Sequence, residues 1–125
     1  MIKQPLTPDH IDDRGAITDI LSKTEFDAIT LITFTKGAIR GNHFHEETVQ
    51  WNYVVEGELT LATRQSNESQ IVLTTLLPGD LAKTDIHEQH ALRAEQDSTV
   101  LVITRGPRSG SDYESDTYRL DHPLL

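Results

Sequence analysis

The chain has 125 residues, the size of one domain, and its 20 acidic and 11 basic residues give a net charge of −9. This excess of acid argues against a nucleic-acid binder, because such proteins carry a basic face. Cysteine is absent, so neither a disulfide nor a thiolate ligand is available. No apolar run is long enough to span a membrane, and the first residues lack the apolar stretch of a secretory signal, so we expect a cytoplasmic protein.

The first 27 residues form an arm ahead of the strand-rich region. Pro5 and Pro8 disfavour a helix at the start and predict an extended segment. Residues 12–15 (DDRG) predict a turn that leads into an early strand over residues 16–21. The arm has no obvious strand partner elsewhere in the chain, so we predict a homodimer in which it pairs with the sheet of the neighbouring subunit.

The middle of the chain is a series of short β-branched runs separated by turns, without a helical period. The predicted strands cover residues 28–35, 51–55, 59–63, 71–77 and 99–104. Turns at residues 56–58 (EGE), 66–69 (SNES) and 78–80 (PGD) separate several of them. We predict one all-β domain over residues 1–125, an antiparallel sheet closed into a barrel, with its core at about 28–105 and a polar tail at 106–125.

Histidines are the candidate chemical groups. His43 and His45 are two residues apart, so in a strand both side chains point to the same face. Two adjacent imidazoles are costly to bury unless they bind something or line a wet cavity. Imidazole is also the commonest metal ligand among side chains. The pair therefore predicts a binding site, whereas His10, His87 and His122 are expected in solvent.

The spacing around these histidines resembles the first motif of the cupin superfamily, Gly-x5-His-x-His-x(3 or 4)-Glu-x6-Gly. In this chain the motif residues are Gly37, His43, His45, Gln50 and Gly57, with Gln50 in place of the glutamate. The second cupin motif, Gly-x5-Pro-x-Gly-x2-His-x3-Asn, begins at Gly79 and reaches His90 in register. Its remaining positions depart from the pattern and are Asp85, His87 and Ala94. The resemblance covers about residues 37–94 and implies a double-stranded β-helix, or jelly-roll, barrel.

The cupin resemblance also implies a divalent metal held in the barrel. The implied ligands are His43, His45, Gln50 and His90. Gln50 offers a neutral carbonyl oxygen where a carboxylate is usual, so we expect a lower affinity for the ion. Three histidines suit zinc, iron, nickel or manganese, and the sequence does not choose among these metals. No organic cofactor is implied.

Two segments resemble those of cupins that act on sugar nucleotides. Residues 12–19 (DDRGAITD) resemble Asp-x-Arg-Gly-x-(Phe/Leu)-x-Glu, and residues 39–45 (IRGNHFH) resemble Arg-Gly-x-His. These patterns belong to the deoxythymidine-diphosphate 4-dehydrorhamnose 3,5-epimerases, the 3,4-ketoisomerases and the cupin domains of capsular-polysaccharide enzymes. Residues 111–118 (SDYESDTY) are similar to the Asp-Thr-Tyr ending of the last group.

This resemblance implies an isomerase or epimerase that works beside a sugar ketone, with His43 removing the acidic α-proton. Arg40, Lys83 or a bound metal would stabilise the enolate. Arg14 and Arg40 would bind the diphosphate of the nucleotide. Tyr53 is a candidate proton donor and substrate-binding residue, although its strand also fits the core.

Two other functions remain open. A metal-dependent cupin enzyme, such as a dioxygenase or a sugar-phosphate isomerase, would use the free coordination positions of a three-histidine metal. A non-catalytic cupin would bind a small sugar or a metal without turnover. In each case the expected partner is a small molecule, and neither nucleic acid nor a membrane is expected.

Overall fold

The computed structural model describes residues 1–108 and 110–125. Within these residues the chain forms twelve strands and one short helix, and the all-β prediction is confirmed. The elements are β1 (Ile2–Pro5), β2 (His10–Asp12), β3 (Gly15–Ile17), β4 (Ala28–Phe34), β5 (Ile39–Phe44), β6 (Val49–Glu56), β7 (Leu59–Arg64), β8 (Val72–Leu76), β9 (Asp80–Thr84), β10 (Gln89–Ala94), β11 (Ser98–Arg105), α1 (Ser111–Ser115) and β12 (Tyr118–Arg119). No helix in the described part of the chain is long and apolar enough to cross a membrane.

Two five-stranded antiparallel sheets pack face to face. The first sheet has the order β1-β9-β6-β11-β4, and the second has the order β12-β5-β10-β7-β8. Apolar side chains from both sheets meet between them, among them Phe34, Val54, Leu61, Leu92 and Val102. The strands β2 and β3 form a separate hairpin. The main core therefore lies between the sheets, and it is bordered by the polar residues described below.

The alternation of side chains along β6 sets what faces the interior. Gln50, Asn52 and Val54 point between the sheets, because successive strand residues face opposite sides. Trp51 and Tyr53 point outward into a second apolar cluster. The strand thus carries two polar amides into the space that also holds the core.

The N-terminal arm has a strand partner in its own chain, and this corrects the predicted pairing with a neighbouring subunit. β1 lies antiparallel to β9, with Ile2 opposite Lys83. The early strand is also shorter than predicted and ends at Ile17. Beyond it, Ile20 and Leu21 pack against the outward cluster of the first sheet, where their apolar side chains are partly buried.

The C-terminal tail is likewise built into the domain. β12 pairs with β5, with Tyr118 opposite Phe44 and Arg119 opposite His43. Beyond β12, three leucines of the tail pack on the outer face of the second sheet, at Ala62 and Ala91; they are Leu120, Leu124 and Leu125. A segment with the composition of a solvated tail therefore lies directly beside His43.

Candidate functional site

Three imidazoles converge between the two sheets. The nitrogen atoms that His43, His45 and His90 offer as ligands lie within 4.8 Å of one another. The ring centroid of His43 is 4.7 Å from that of His45 and 4.8 Å from that of His90. The structure thus brings together the three histidines that the two cupin-like motifs contain.

A β-bulge in β5 aims His43 at this cluster. His43 pairs with His90, and the next pair along is Gly41 with Ala91, so Asn42 is an extra residue in β5. Gly41 and Asn42 both have positive φ angles, of 95° and 57°. A Cβ atom on Gly41 would lie 2.9 Å from the carbonyl oxygen of His90, so a glycine is required there. The extra residue bends the strand and turns the side chain that follows it towards β10.

Backbone carbonyls set the tautomers of the two most buried imidazoles. Nδ1 of His45 lies 2.8 Å from the carbonyl oxygen of Asp116, and Nδ1 of His90 lies 3.0 Å from that of Glu88. A carbonyl oxygen only accepts, so each Nδ1 carries the proton and each Nε2 keeps a lone pair. Both Nε2 atoms are buried and have no hydrogen-bond partner among the described residues. Imidazoles oriented in this way fit a divalent metal.

Burial keeps the imidazoles neutral. The pKa of His43 is lowered to about 3, mainly by desolvation and to a smaller extent by the nearby His90 and His45 and by two arginines. Desolvation likewise lowers the pKa of His90 to about 4 and shifts the pKa of His45 in the same direction. A neutral imidazole is the form that can accept a proton or bind a metal ion.

The cluster opens into a cavity of about 430 Å³ whose opposite wall is neutral and polar. On that wall, Nε2 of Gln50 donates to Oδ1 of Asn52 at 3.0 Å. The cross-strand neighbours of Gln50 are Thr84 and Thr104. Both threonine hydroxyls are buried and lack a hydrogen-bond partner within the described chain. Gln50, the fourth residue of the implied ligand set, therefore lines the same cavity as His43 and His90, while His45 lies behind the lining.

The cavity is cationic although the protein is acidic. Three arginine side chains line it: Arg40, Arg108 and Arg119. Arg108 lies over the ring of Tyr113 at 4.5 Å, and Arg119 pairs with Glu114 at 3.1 Å. No acidic side chain lines the cavity in the part of the chain that the structure describes. A local excess of positive charge favours an anionic ligand, whatever the net charge of the chain.

Three lining residues were not foreseen from the sequence. Arg108, Tyr113 and Arg119 all come from the C-terminal tail. The ring centroid of Tyr113 lies 6.4 Å from that of His43 and 5.7 Å from that of His45. The sequence offered one indication, the similarity of residues 111–118 to the tails of capsule-associated cupins. That similarity did not predict a role in the site for any residue of the tail.

Three other predicted site residues lie away from the cavity. Arg14 is exposed in the turn between β2 and β3, where it pairs with Asp12 at 2.6 Å and holds the pKa of that carboxyl at about 2. The Nζ atom of Lys83 lies 5.9 Å from the ring centroid of Trp51, on the outward face of the first sheet. Tyr53 packs in the outward cluster. Of the predicted substrate-binding residues, Arg40 alone lines the cavity.

Residues 10–107 match the family model described as polysaccharide biosynthesis C-terminal domain. No curated protein gives a significant match.

Solved structures with a similar fold include an assembling protein, an epimerase and a ketoisomerase. CapF, a capsular polysaccharide assembling protein from Staphylococcus aureus, aligns with a TM-score of 0.69 and 20% identity over 94% of this chain and 35% of CapF. The RmlC epimerase from Mycobacterium tuberculosis aligns with a TM-score of 0.78 and 16% identity over 94% of this chain and 67% of the epimerase. A mutant of the 3,4-ketoisomerase QdtA from Thermoanaerobacterium thermosaccharolyticum, in complex with TDP-4-keto-6-deoxyglucose, aligns with a TM-score of 0.77 and 16% identity over 95% of this chain and 86% of QdtA. The chain thus spans about a third of the length of CapF, and these likenesses confirm the predicted cupin barrel.

Proposed function

Because the chain belongs to the polysaccharide biosynthesis C-terminal domain family, we propose that it isomerises or epimerises a nucleotide-activated keto sugar. The observation that carries the proposal is that two histidines of the cluster, His43 and His90, line one cavity together with three arginines. Proton transfer beside a sugar ketone needs a base at the α-carbon, and a nucleotide diphosphate needs fixed cations. The epimerase RmlC and the ketoisomerase QdtA share the fold, and the structure of QdtA in complex with TDP-4-keto-6-deoxyglucose supports this substrate class.

His43 is the proposed base. Its imidazole lines the cavity and is neutral, since desolvation lowers its pKa to about 3. In the proposed step the imidazole accepts the α-proton, the C–H electron pair forms a double bond between the α-carbon and the carbonyl carbon, and the carbonyl π electrons move onto the keto oxygen to give the enolate. Arg40, at the cavity mouth, supplies positive charge towards that oxygen. Delivery of a proton to the opposite face of the α-carbon re-forms the ketone and gives an epimer. For an isomer, the former carbonyl carbon takes a proton, the hydroxyl on the α-carbon gives up its proton and becomes the new ketone, and the old keto oxygen becomes the hydroxyl.

Arg108 and Arg119 are the proposed partners of the diphosphate, together with Arg40. Guanidinium groups bind phosphate oxygens through paired hydrogen bonds, and all three line the cavity. Neither Arg14 nor Lys83 lines this cavity, so we assign the diphosphate to Arg40 and the two arginines of the tail. A cavity of about 430 Å³ is within the range usual for small-molecule sites, roughly 300–1,000 Å³.

We also propose that His43, His45 and His90 hold one divalent metal ion, with Gln50 as a neutral fourth ligand. The two orphaned Nε2 atoms support this assignment, because burying an unpartnered acceptor is costly unless something binds it. When bound, the ion would supply Lewis-acid polarisation of the substrate ketone. A nitrogen that binds a metal cannot accept a proton. His43 can therefore act as the base only in a metal-free site, and in a metal-bound site it is a ligand.

We propose a homodimer formed through the first sheet. On its edge strand β4, Ile29 and Leu31 are 58% and 64% exposed, and Leu31 has Leu101 as its cross-strand neighbour. A second copy would cover this apolar surface and the open edge of β4. Light scattering should give twice the 14.1 kDa of one chain, and Leu31→Asp should give the monomer mass. Val72→Asp, which adds the same charge on the edge of the other sheet, should remain dimeric; a wild-type monomer would contradict the proposal.

Deuterium exchange tests the catalytic proposal. TDP-4-keto-6-deoxyglucose is incubated with the protein in deuterated water, and the mass of the recovered sugar nucleotide is measured. We expect deuterium at carbons beside the ketone, because α-proton removal precedes either isomerisation or epimerisation. No exchange with this or related 4-keto sugars, together with calorimetric binding of TDP, would contradict the catalytic proposal and favour a binding cupin.

A further inference from the structure

Asp116 joins the C-terminal tail to the turn that follows His45. The side chain is 1% exposed. Its carboxylate accepts hydrogen bonds from the backbone N–H of Glu46 at 2.9 Å, from that of Glu47 at 3.1 Å and from the hydroxyl of Thr48 at 2.6 Å. Three donors from consecutive residues therefore converge on one buried carboxylate, and these hydrogen bonds are of the strong charge-assisted kind.

The same residue also contacts the imidazole of the cluster. The backbone carbonyl oxygen of Asp116 accepts the hydrogen bond from Nδ1 of His45 at 2.8 Å. We infer that Asp116 is a positioning residue: by fastening the tail to the turn at residues 46–48, it holds the carbonyl that fixes the tautomer and the direction of His45. This inference rests on the proposed function of the histidine cluster.

The tail has few other means of holding that carbonyl in place. α1 has only five residues, which is too short to be stable on its own. Its N-cap residue is Gly110, which has no side chain to cap the helix. β12 adds only two paired residues after Asp116. Leu124 and Asn42 fasten the end of the tail, but on the outer face of the second sheet. The ring of Tyr118 also stacks on that of Phe44 at 5.2 Å, but the carboxylate of Asp116 is the attachment on the same residue as the carbonyl that meets His45.

Loss of this attachment would move the lone pair of the His45 imidazole from Nε2 to Nδ1. Without a fixed acceptor at Nδ1, a neutral imidazole favours the tautomer with its proton on Nε2. Nε2 is the atom of His45 that is buried in the cluster without a partner. A proton there removes the lone pair that a metal or a substrate proton would need.

His90 provides an internal reference. Its Nδ1 donates to the carbonyl oxygen of Glu88, whose carboxylate accepts from the backbone N–H of Asp85 and from the side chain of Gln65. None of these residues belongs to the tail. A change at Asp116 should therefore move the tautomer of His45 and leave that of His90 unchanged.

The test is a long-range ¹H–¹⁵N correlation spectrum of metal-free protein with ¹⁵N-labelled histidine. In the wild type, both His45 and His90 should carry the proton on Nδ1. In Asp116→Ala, His45 should shift to the Nε2-protonated form or to a mixture, while His90 keeps the wild-type pattern. Asp116→Asn should stay close to wild type, because its amide oxygen can still accept from the turn. Asp121→Ala removes an exposed carboxylate of the same tail and should change neither histidine.

Zinc affinity gives a second measurement, made by competition with a chromophoric chelator. Asp116→Ala should bind Zn²⁺ about 10- to 100-fold more weakly, the usual loss when an outer partner of a ligating histidine is removed. Asp116→Asn and Asp121→Ala should stay within about threefold of wild type. A wild type that shows the predicted tautomers but binds no Zn²⁺ would support the positioning role and contradict the metal site.

A folded Asp116→Ala variant with the wild-type tautomer at His45 overturns the inference. Near-ultraviolet circular dichroism establishes whether the variant is folded. If Asp116→Ala is not folded, the double variant Thr48→Val with Asp116→Asn is used instead. It weakens the same attachment with side chains of nearly the same size and shape. We expect this variant to show a partial shift at His45 alone, and a wild-type spectrum from it would equally overturn the inference.

Discussion

His43 and His90 are direct cross-strand partners on β5 and β10, with their rings nearly perpendicular at 87°. The pairing joins the two cupin-like motifs, which are far apart in the chain. It depends on the bulge at Gly41 and Asn42, because the extra residue brings His43 opposite His90. The register of one strand pair therefore decides whether the histidine cluster forms.

Gly41→Ala should destabilise the protein more than Gly37→Ala does. Both glycines have positive φ angles, which cost a residue with a Cβ atom about 1–3 kcal/mol. At position 41 the Cβ atom would also lie 2.9 Å from the carbonyl oxygen of His90, whereas at position 37 nothing lies within 4 Å. We expect a difference of about 1–2 kcal/mol in the free energy of unfolding, measured in urea. Equal losses in the two variants would contradict a structural role for this contact.

The sequence predicted the histidine cluster on two different grounds. The two-residue spacing of His43 and His45 places both on one face by strand alternation, whereas His90 was included because the segment from Gly79 resembles the second cupin motif. The three strands β5, β9 and β10 were nevertheless absent from the predicted set. Their sequences, IRGNHF, DLAKT and QHALRA, place charged or polar residues among the apolar ones and contain at most one β-branched residue each, so no β-branched run marks them as strands.

The tail residues could not be predicted in the same way. α1 is too short to produce a helical period, and the acidic composition of the segment is typical of a solvated end. The contacts of Asp116 with the turn at residues 46–48 join parts of the chain about 70 residues apart, and no spacing rule connects them. The placement of Tyr53, in contrast, follows from alternation, since Gln50 and Tyr53 lie on opposite faces of one strand.

Gln50→Glu should strengthen metal binding. A carboxylate in place of the amide adds a negative charge to a ligand set that has none, and the hydroxyls of Thr84 and Thr104 stand on either side to donate to it. We expect Zn²⁺ affinity to rise by about tenfold or more, measured by competition with a chelator. Gln89→Glu makes the same charge change at a buried position outside the cavity, beside Arg64, and should leave the affinity unchanged. Equal affinities of Gln50→Glu and wild type would remove Gln50 from the ligand set.

Arg108→Ala and Arg119→Ala should each weaken the binding of TDP. Loss of one charge-assisted interaction with a phosphate costs about 1.5–3 kcal/mol, which corresponds to a factor of roughly 10 to 100 in the dissociation constant. The measurement is titration calorimetry with TDP at fixed ionic strength. Arg105→Ala is the matched control, because that guanidinium lies over Trp51 on the outward face of the first sheet. A comparable loss in Arg105→Ala would show that net charge, and not the cavity, determines binding.

His43→Asn and His45→Asn together separate the two proposed roles of His43. If His43 is the base in a metal-free site, His43→Asn should lower deuterium exchange into TDP-4-keto-6-deoxyglucose by about 10²- to 10⁴-fold, because the amide cannot accept the proton. In that case His45→Asn should have a milder effect, since its ring lies behind His43 and is only 1% exposed.

If the three histidines hold a metal that the reaction needs, the two variants should behave alike. Each would lose one of three imidazole ligands, so exchange and bound metal should fall together in both. Elemental analysis of protein purified without chelator or histidine tag, run beside the exchange assay, distinguishes the cases. Loss of exchange in His43→Asn with its metal content retained supports the base, because the ion then remains on His45 and His90. Exchange at the wild-type rate in both variants would remove the cluster from the chemistry. Proton transfer would then fall to another cavity residue such as Tyr113, whose ring centroid lies 6.4 Å from that of His43.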